Sequence, residues 1–88
     1  MLENIRKIIR QENYRISAHA NEEMADDDLL AADVEQVILT GKVSRRYTRD
    51  PRGPRYEILG RTLDDRKAAV VCRFVTSNKL LIITAYTL

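Results

Sequence analysis

The 88-residue sequence has little of what many small proteins depend on. It contains one cysteine, one histidine, no tryptophan, three glycines and two prolines. A single cysteine excludes an internal disulfide and a cysteine-rich zinc site, and three isolated glycines make no phosphate-binding loop. No apolar run approaches the roughly 20 residues that a membrane-crossing helix needs. The first ten residues also lack the layout of a secretory signal, because charged residues interrupt their apolar positions. We therefore expect a single domain over residues 1–88, reduced, cytoplasmic and not bound to membrane.

The charged residues are divided between two neighbouring segments of opposite sign. The net charge is only +2, but residues 20–36 contain seven acids and no base. Residues 42–61 contain seven bases, six of them arginines, against two acids. Arginine presents a planar fork of donors that fits phosphate. This basic segment either binds a polyanion or pairs with the acidic segment in the same molecule, and the sequence leaves both interpretations open.

Apolar residues in the first half of the chain recur with helical spacing. The pattern predicts helices over residues 2–11, 18–25 and 30–40, with a brief extended segment at 14–16. Ser17 has the chemistry of an N-cap for the second helix, and one aspartate of the run 26–28 is a candidate cap for the third. Gly41 occupies the position of a C-terminal glycine cap.

From residue 42 onward the spacing changes to that of strands. We predict strands over residues 43–47, 55–60, 68–75 and 80–86, the last two apolar on both faces as in a sheet centre. The order of elements predicts an α+β fold, with two to three N-terminal helices on one face of a four-stranded antiparallel sheet. The second face should stay partly wet, and its candidate residues are Tyr56, Arg73, Thr84 and Tyr86, with Arg55 or Arg61 depending on where the strands end. The alternative for each tyrosine is a core aromatic with its hydroxyl at the rim.

One residue stands out as a candidate for proton transfer. His19 is the only side chain whose ordinary pKa suits this chemistry near neutral pH. Its structural alternative is a hydrogen bond to Glu23 or to a backbone carbonyl. With Glu22 or Glu23 it also has the spacing of two metal ligands, but the set is too small for zinc, and we expect no metal. Cys72 lies mid-strand among apolar residues and is predicted to be a core residue.

Several short pieces of sequence follow one another in a familiar order. They are Tyr14-Arg15-Ile16-Ser17-Ala18-His19-Ala20 with Glu23-Met24, Asp33-Val34-Glu35 with Gly41, Tyr47 and Asp50, Arg52-Gly53-Pro54-Arg55-Tyr56 with Leu59-Gly60-Arg61, and Ile82-Ile83-Thr84-Ala85-Tyr86. In this order and spacing the chain resembles the domain-of-unknown-function family four-two-five-eight. That family is similar in layout to the BrnT-type toxins of bacterial toxin–antitoxin pairs, which implies a RelE/ParE-like fold. The chain departs from the family at residues 24–29, where aspartates replace an Arg-Gly pair.

The resemblance implies the toxin of a type II toxin–antitoxin pair, a metal-independent endoribonuclease similar to mRNA interferases. Such cleavage needs a base for the ribose 2′-hydroxyl, cations for the phosphate and an acid for the departing oxygen. With the reaction type taken from this analogy, the candidate catalytic residues are His19, Arg55, Arg73 and Tyr86, and the candidate RNA- or phosphate-binding residues are Arg45, Arg46, Arg52, Tyr56 and Arg61.

The partners that the resemblance implies are RNA, including ribosome-associated mRNA, and a cognate antitoxin, for which the family suggests a zinc-finger type. No cofactor is expected. Two other hypotheses remain open at this point. The chain is a degenerate toxin that binds RNA or protein without catalysis, or it is a homodimer in which the acidic helices of one copy contact the basic segment of the next.

Overall fold

All 88 residues are described by the computed structural model, which has three helices and one five-stranded sheet. In chain order the elements are α1 (Leu2–Arg10), β1 (Tyr14–Ile16), α2 (Ala18–Asp26), α3 (Ala31–Thr40), β2 (Lys42–Tyr47), β3 (Arg55–Arg61), β4 (Lys67–Thr76) and β5 (Lys79–Thr87). The predicted α+β class is confirmed, and each predicted helix and strand is found within one residue at either end. None of the helices is both long and apolar enough to span a bilayer.

The sheet differs from the predicted four-stranded antiparallel sheet by a fifth strand. Its order is β1-β5-β4-β3-β2, and β1 runs parallel to β5, from Tyr14 beside Leu80 to Ile16 beside Ile82. The other three pairings are antiparallel. The prediction was wrong here because a three-residue segment is too short to show a strand period, and its partner lies at the other end of the chain with no turn to join them.

The helices pack on one face of the sheet and enclose the core. The fully buried side chains there include Ile5 and Ile9 of α1, Val34, Val37 and Ile38 of α3, and Ile58, Val70, Cys72, Leu80 and Ile82 of the sheet. No helix covers the opposite face, which we call the open face. Strand alternation and register place on it Arg45 and Tyr47 of β2, Arg55, Glu57, Leu59 and Arg61 of β3, Ala69, Val71 and Arg73 of β4, and Leu81, Thr84 and Tyr86 of β5.

Two glycines allow the end of α3 to approach the sheet closely. A Cβ atom on Gly60 would lie 2.7 Å from the Val37 carbonyl oxygen, and one on Gly41 would meet the Leu59 carbonyl oxygen. Gly41 does end α3 as predicted, and its N–H donates to the Val37 carbonyl. Its φ is −87°, however, so the lack of a side chain, and not a left-handed conformation, is what this position requires.

The chain enters α2 through a cap that also binds β5. The Ser17 hydroxyl accepts from the Ala20 N–H at 3.0 Å, which confirms the predicted N-cap. The same hydroxyl donates to the Ile83 carbonyl oxygen at 2.9 Å, and the Ser17 N–H donates to the Ile82 carbonyl oxygen. The start of α2 is thus fixed beside the outer edge of β5, at the point where β1 ends.

Carboxylates of α2 and of its C-cap residue continue along that edge. The N–H groups of Ala85 and Thr87 donate to the side chains of Glu23 and Asp27 at 3.2 and 2.8 Å. Four residues of helix rise about 6.0 Å, and two residues of strand rise about 6.8 Å, so the two spacings nearly match. Part of the acidic segment therefore serves to satisfy backbone donors that would otherwise lack a partner.

The aspartates at 26–28 do not cap α3, contrary to the prediction. The N-cap residue is Leu30, and its N–H donates to the Asp33 carboxylate at 2.9 Å. The other oxygen of Asp33 accepts from the Leu63 N–H, so this buried acid joins α3 to the β3–β4 turn. Because Asp33, in the first turn of α3, already accepts from the N-cap N–H, an aspartate before the helix is not required as a cap.

Replacing Asp27 should destabilise the fold. We expect Asp27→Ala to lower the free energy of unfolding by about 1–3 kcal/mol, because the partly buried Thr87 N–H loses its acceptor. Asp27→Asn keeps an acceptor oxygen and should cost less. The exposed neighbour Asp26 provides a matched control in Asp26→Ala. Urea titration followed by circular dichroism measures the three variants, and equal losses at positions 26 and 27 would contradict the edge contact.

Candidate functional site

The open face carries arginines at neighbouring positions of adjacent strands. Arg55 and Arg73 each lie one position beyond the paired Tyr56 and Cys72, so they face one another across β3 and β4. Arg73 is in register with Leu81 on β5. Side chains at one register level on adjacent strands are about 5 Å apart. The structure thus brings together two of the four candidate catalytic residues.

The loop over residues 48–54, which joins β2 to β3, is organised by one acid. The Asp50 side chain is 7% exposed, accepts from the Arg52 N–H at 2.9 Å and lies 3.1 Å from Arg55 Nε. The Arg55 guanidinium also lies over the Tyr47 ring, 4.8 Å from its centroid. The Arg52 N–H, followed by the positive charges of Arg52 and Arg55, holds the pKa of Asp50 below its ordinary value. Asp50 is therefore ionised at neutral pH.

This loop borders an open depression of about 590 Å³. The lining residues are Arg46, Tyr47, Thr48, Arg49, Asp50, Pro51, Arg52 and Arg55. Arg73 contacts its rim, where Nη1 donates to the Arg52 carbonyl oxygen at 3.4 Å. The ion pairs of the basic segment 42–61 go to Asp50 and Asp65, and none reaches the acidic segment 20–36. The interpretation in which the two segments neutralise each other through ion pairs is therefore wrong.

His19 lies in the first turn of α2, beside the edge of β5. Its side chain is 67% exposed, and Nε2 lies 3.3 Å from Glu23 Oε1. The same oxygen accepts from the Thr84 hydroxyl and the Ala85 N–H. Because Thr84 belongs to the open face, Glu23 links the single histidine to the rim of that face. The expected contact between His19 and Glu23 is confirmed, and a catalytic role for His19 stays a prediction.

Tyr86 and Arg45 lie on the open face but not beside Arg73. Tyr86 is in register with Ala69 of β4, four residues from Arg73, which corresponds to about 13 Å along the strand. Arg45 is exposed on the edge strand, opposite Glu57. Arg61 lies further along β3, where it contacts Asp65. The predicted residues that lie on the open face therefore occupy two halves of it, and only long side chains from each half can approach a common ligand.

Tyr56 and Arg46 lie on the other side of the sheet. Tyr56 is 7% exposed within the core and meets Phe74 edge to face, with ring centroids 6.1 Å apart. The Arg46 guanidinium lies 5.7 Å from the centroid of the Tyr56 ring. The prediction that Tyr56 faces solvent was wrong, because it shares the face of the buried Ile58, two residues along the strand.

Sequence reasoning missed the role of Asp50. In the sequence, Asp50 with Pro51 indicates a turn and nothing more. Only the folded hairpin shows that its carboxylate approaches Arg55 from across the loop. The one signal in the sequence was that Asp50 is the only acid among the arginines at 49, 52 and 55. Among His, Cys, Asp and Glu side chains, no group of three or more is arranged to hold a metal ion.

The thiol of Cys72 should be unreactive in the folded chain. Cys72 is fully buried as predicted, and desolvation raises the pKa of its thiol from 9.0 to about 12. At pH 8 this leaves roughly a thousandfold less thiolate than in the unfolded chain. We expect a thiol reagent such as dithionitrobenzoate to react at once in denaturant and only slowly in native buffer. Rapid modification of the native protein would show that Cys72 is accessible.

The fold defines a class of small α+β proteins with helices on one face of a mixed sheet, and comparisons place the chain within it. The family model described as "Domain of unknown function (DUF4258)" matches residues 16–87, and the chain belongs to this family. Its structure is similar to the crystal structure of the Brucella abortus ribonuclease toxin BrnT, with a TM-score of 0.56 and 20% sequence identity. The alignment covers 85% of this chain and 96% of that one. No curated protein matches the chain. The resemblance drawn from the sequence is confirmed.

Proposed function

We propose that this chain is the toxin of a toxin–antitoxin pair and that it cleaves RNA on its open face without a metal ion. The observation that carries the proposal is an uncovered basic sheet face in a fold shared with a ribonuclease toxin. On that face Arg55 and Arg73 are neighbours, and the acidic segment offers them no ion pair. The single histidine is tethered at its rim through Glu23 and Thr84.

The chemistry follows from the position of each group. His19 Nε2 faces Glu23, so its Nδ1 is the atom left to take the proton from a ribose 2′-hydroxyl. The 2′-oxygen then attacks phosphorus, and the bond to the 5′-oxygen breaks. The guanidinium groups of Arg55 and Arg73 stabilise the extra negative charge on the phosphate. Tyr86, on the other half of the face, supplies a hydroxyl that can protonate the departing oxygen or a ring that can stack on a base.

An antitoxin is the partner that this proposal implies. A protein that presents acidic side chains to the open face would cover Arg55 and Arg73 and exclude RNA. The zinc-finger type suggested by the family fits the proposal, and so does action in the bacterial cytoplasm, where mRNA is available. In the homodimer hypothesis, the acidic segment 20–36 of a second copy covers the arginines in the same way.

RNA binding without cleavage is the second candidate function. The observation that favours it is the exposure of His19, whose side chain is 67% accessible and is held by Glu23 alone. A base with so few contacts is less strictly oriented than most catalytic histidines. In this case the arginines would still bind phosphates, and affinity would fall steeply with rising salt.

The cleavage proposal predicts a large effect at His19. We expect His19→Ala to lower the rate of RNA cleavage by about 100-fold or more, because general base catalysis is lost. Arg73→Ala should also lower cleavage strongly, because one phosphate ligand is removed. Denaturing gels of a defined RNA measure the rate, and growth after induction from a tight promoter measures toxicity.

Two exposed residues away from the open face provide the controls. Asn21→Ala lies on the same helix as His19, and Arg10→Ala removes an arginine from α1; both should cleave as the wild type does. Wild-type cleavage by His19→Ala would contradict its role as base. Salt-sensitive RNA binding by all variants with no cleavage by any would support the binding function instead.

A further inference from the structure

Asp50 holds one arginine of the 48–54 loop and the first residue of β3, Arg52 and Arg55, in a common arrangement. Its carboxylate lies 3.5 Å from Arg52 Nε and 3.1 Å from Arg55 Nε. A guanidinium whose Nε faces a carboxylate keeps both of its terminal nitrogens for a second ligand. Arg55 Nε is buried and lies within ion-pair distance of the Asp50 carboxylate, but it forms no hydrogen bond. The Arg55 guanidinium is therefore held by its attraction to Asp50 and by the Tyr47 ring. Both guanidinium groups are thereby positioned by Asp50, and that of Arg55 also by the Tyr47 ring at the end of β2.

The loop also has more positive charge than its own acid can balance. Arg46, Arg49, Arg52 and Arg55 line the depression with Asp50, an excess of three positive charges. Neither Arg46 nor Arg49 forms an ion pair with any carboxylate of the chain. An uncompensated group of arginines around an open concave surface has the composition of an anion site. The available ligand chemistry is that of a phosphate, which guanidinium groups bind two nitrogens at a time.

The depression is continuous with the open face. Arg73 Nη1 donates to the Arg52 carbonyl oxygen, so the loop touches the position where Arg55 and Arg73 face each other. An RNA strand with one phosphate at Arg73 can place its next phosphate against the loop, with Arg55 between the two positions. We propose that Asp50 positions Arg52 and Arg55 as a preformed phosphate site, and that this site binds a backbone phosphate of RNA next to the one at Arg73. The inference rests on the proposed RNA function and adds a second binding position and its positioning residue.

The charge of Asp50 makes the proposal testable by the sign of an effect. If the loop is only a basic surface, removing an acid raises its positive charge and tightens the binding of a polyanion. If Asp50 positions the two arginines, the same change frees them and weakens binding, because the phosphate must then order them itself. Asp50→Asn separates these outcomes while keeping an oxygen that can accept the Arg52 N–H.

The matched control is Glu57→Gln. Glu57 lies two residues beyond Arg55 on the same strand and the same open face, where its carboxylate accepts from the Ser44 hydroxyl and from no arginine. It loses the same single charge. We expect Asp50→Asn to weaken binding by about 5- to 10-fold and Glu57→Gln to leave it unchanged or slightly tighter. A second variant, Arg55→Lys, keeps the charge but loses the fork, and should weaken binding to a similar extent.

The probe is a short 2′-O-methyl RNA oligonucleotide, which lacks the 2′-hydroxyl and binds without being cleaved. Fluorescence anisotropy at low salt gives the dissociation constants, and thermal unfolding confirms that each variant folds. Tighter binding by Asp50→Asn, equal to that of Glu57→Gln, would overturn the proposal, as would full affinity in Arg55→Lys. Because the probe reports binding alone, an inactive His19→Ala or an uncleaved natural RNA leaves this result unaffected. Absence of binding by the wild type would reject the RNA function and the inference together.

Discussion

The outer edge of β5 is the constraint on which the rest of the structure depends. Backbone donors and acceptors at a sheet edge need partners, and β1 supplies them only as far as Ile82. Beyond that point the Ser17 hydroxyl donates to the Ile83 carbonyl, and Glu23 and Asp27 accept from the Ala85 and Thr87 N–H groups. These three residues are the N-cap, a central residue and the C-cap of α2. This requirement sets the position and the direction of α2. His19, one turn before Glu23, is placed at the rim of the open face as a result.

Using acids at this edge has an electrostatic consequence at the opposite one. The carboxylates of Glu23 and Asp27 lie beside β5, whereas the basic segment follows β2, three strand spacings away across the sheet. Three spacings amount to roughly 14 Å, which exceeds the Debye length of about 8 Å at physiological salt. The acids therefore screen the arginines of β2 and its loop only weakly. The near-neutral sum of charges thus conceals carboxylates at the β5 edge and arginines at the β2 edge that lie apart.

Much of the fold could be predicted from the spacing of apolar residues, because that spacing follows from which side of each helix or strand is buried. The stripe of Ile5, Ile8 and Ile9 and the two apolar strands defined their elements within a residue. The extended segment at 14–16 was predicted, but its place as a fifth strand was not, since its pairing with β5 joins distant parts of the chain. The face of Tyr56 was also misjudged, because alternation tells which residues share a face and not which face meets the helices. The buried Ile58 decides it.

The candidate site was only partly readable for a related reason. Residue type indicated His19, Arg55 and Arg73, and the register confirms that the two arginines are neighbours. The organising role of Asp50 depends on distances across a hairpin, and the separation of Tyr86 from Arg73 depends on strand register. Composition can suggest which chemistry is available. The relative placement of the groups requires the folded chain.

The departure of this chain from its family at residues 24–29 can now be interpreted physically. The family resemblance implies an arginine in that stretch, and the chain has aspartates instead. In the structure a guanidinium is nevertheless present at the end of α2: Arg66, from the β3–β4 turn, donates to the carbonyl oxygens of Asp27 and Asp28 at 2.7 and 3.0 Å. A positive charge at a helix C-terminus is stabilising whichever element supplies it. This contact holds the end of α2 to the β3–β4 turn and involves neither Arg55 nor Arg73 of the open face.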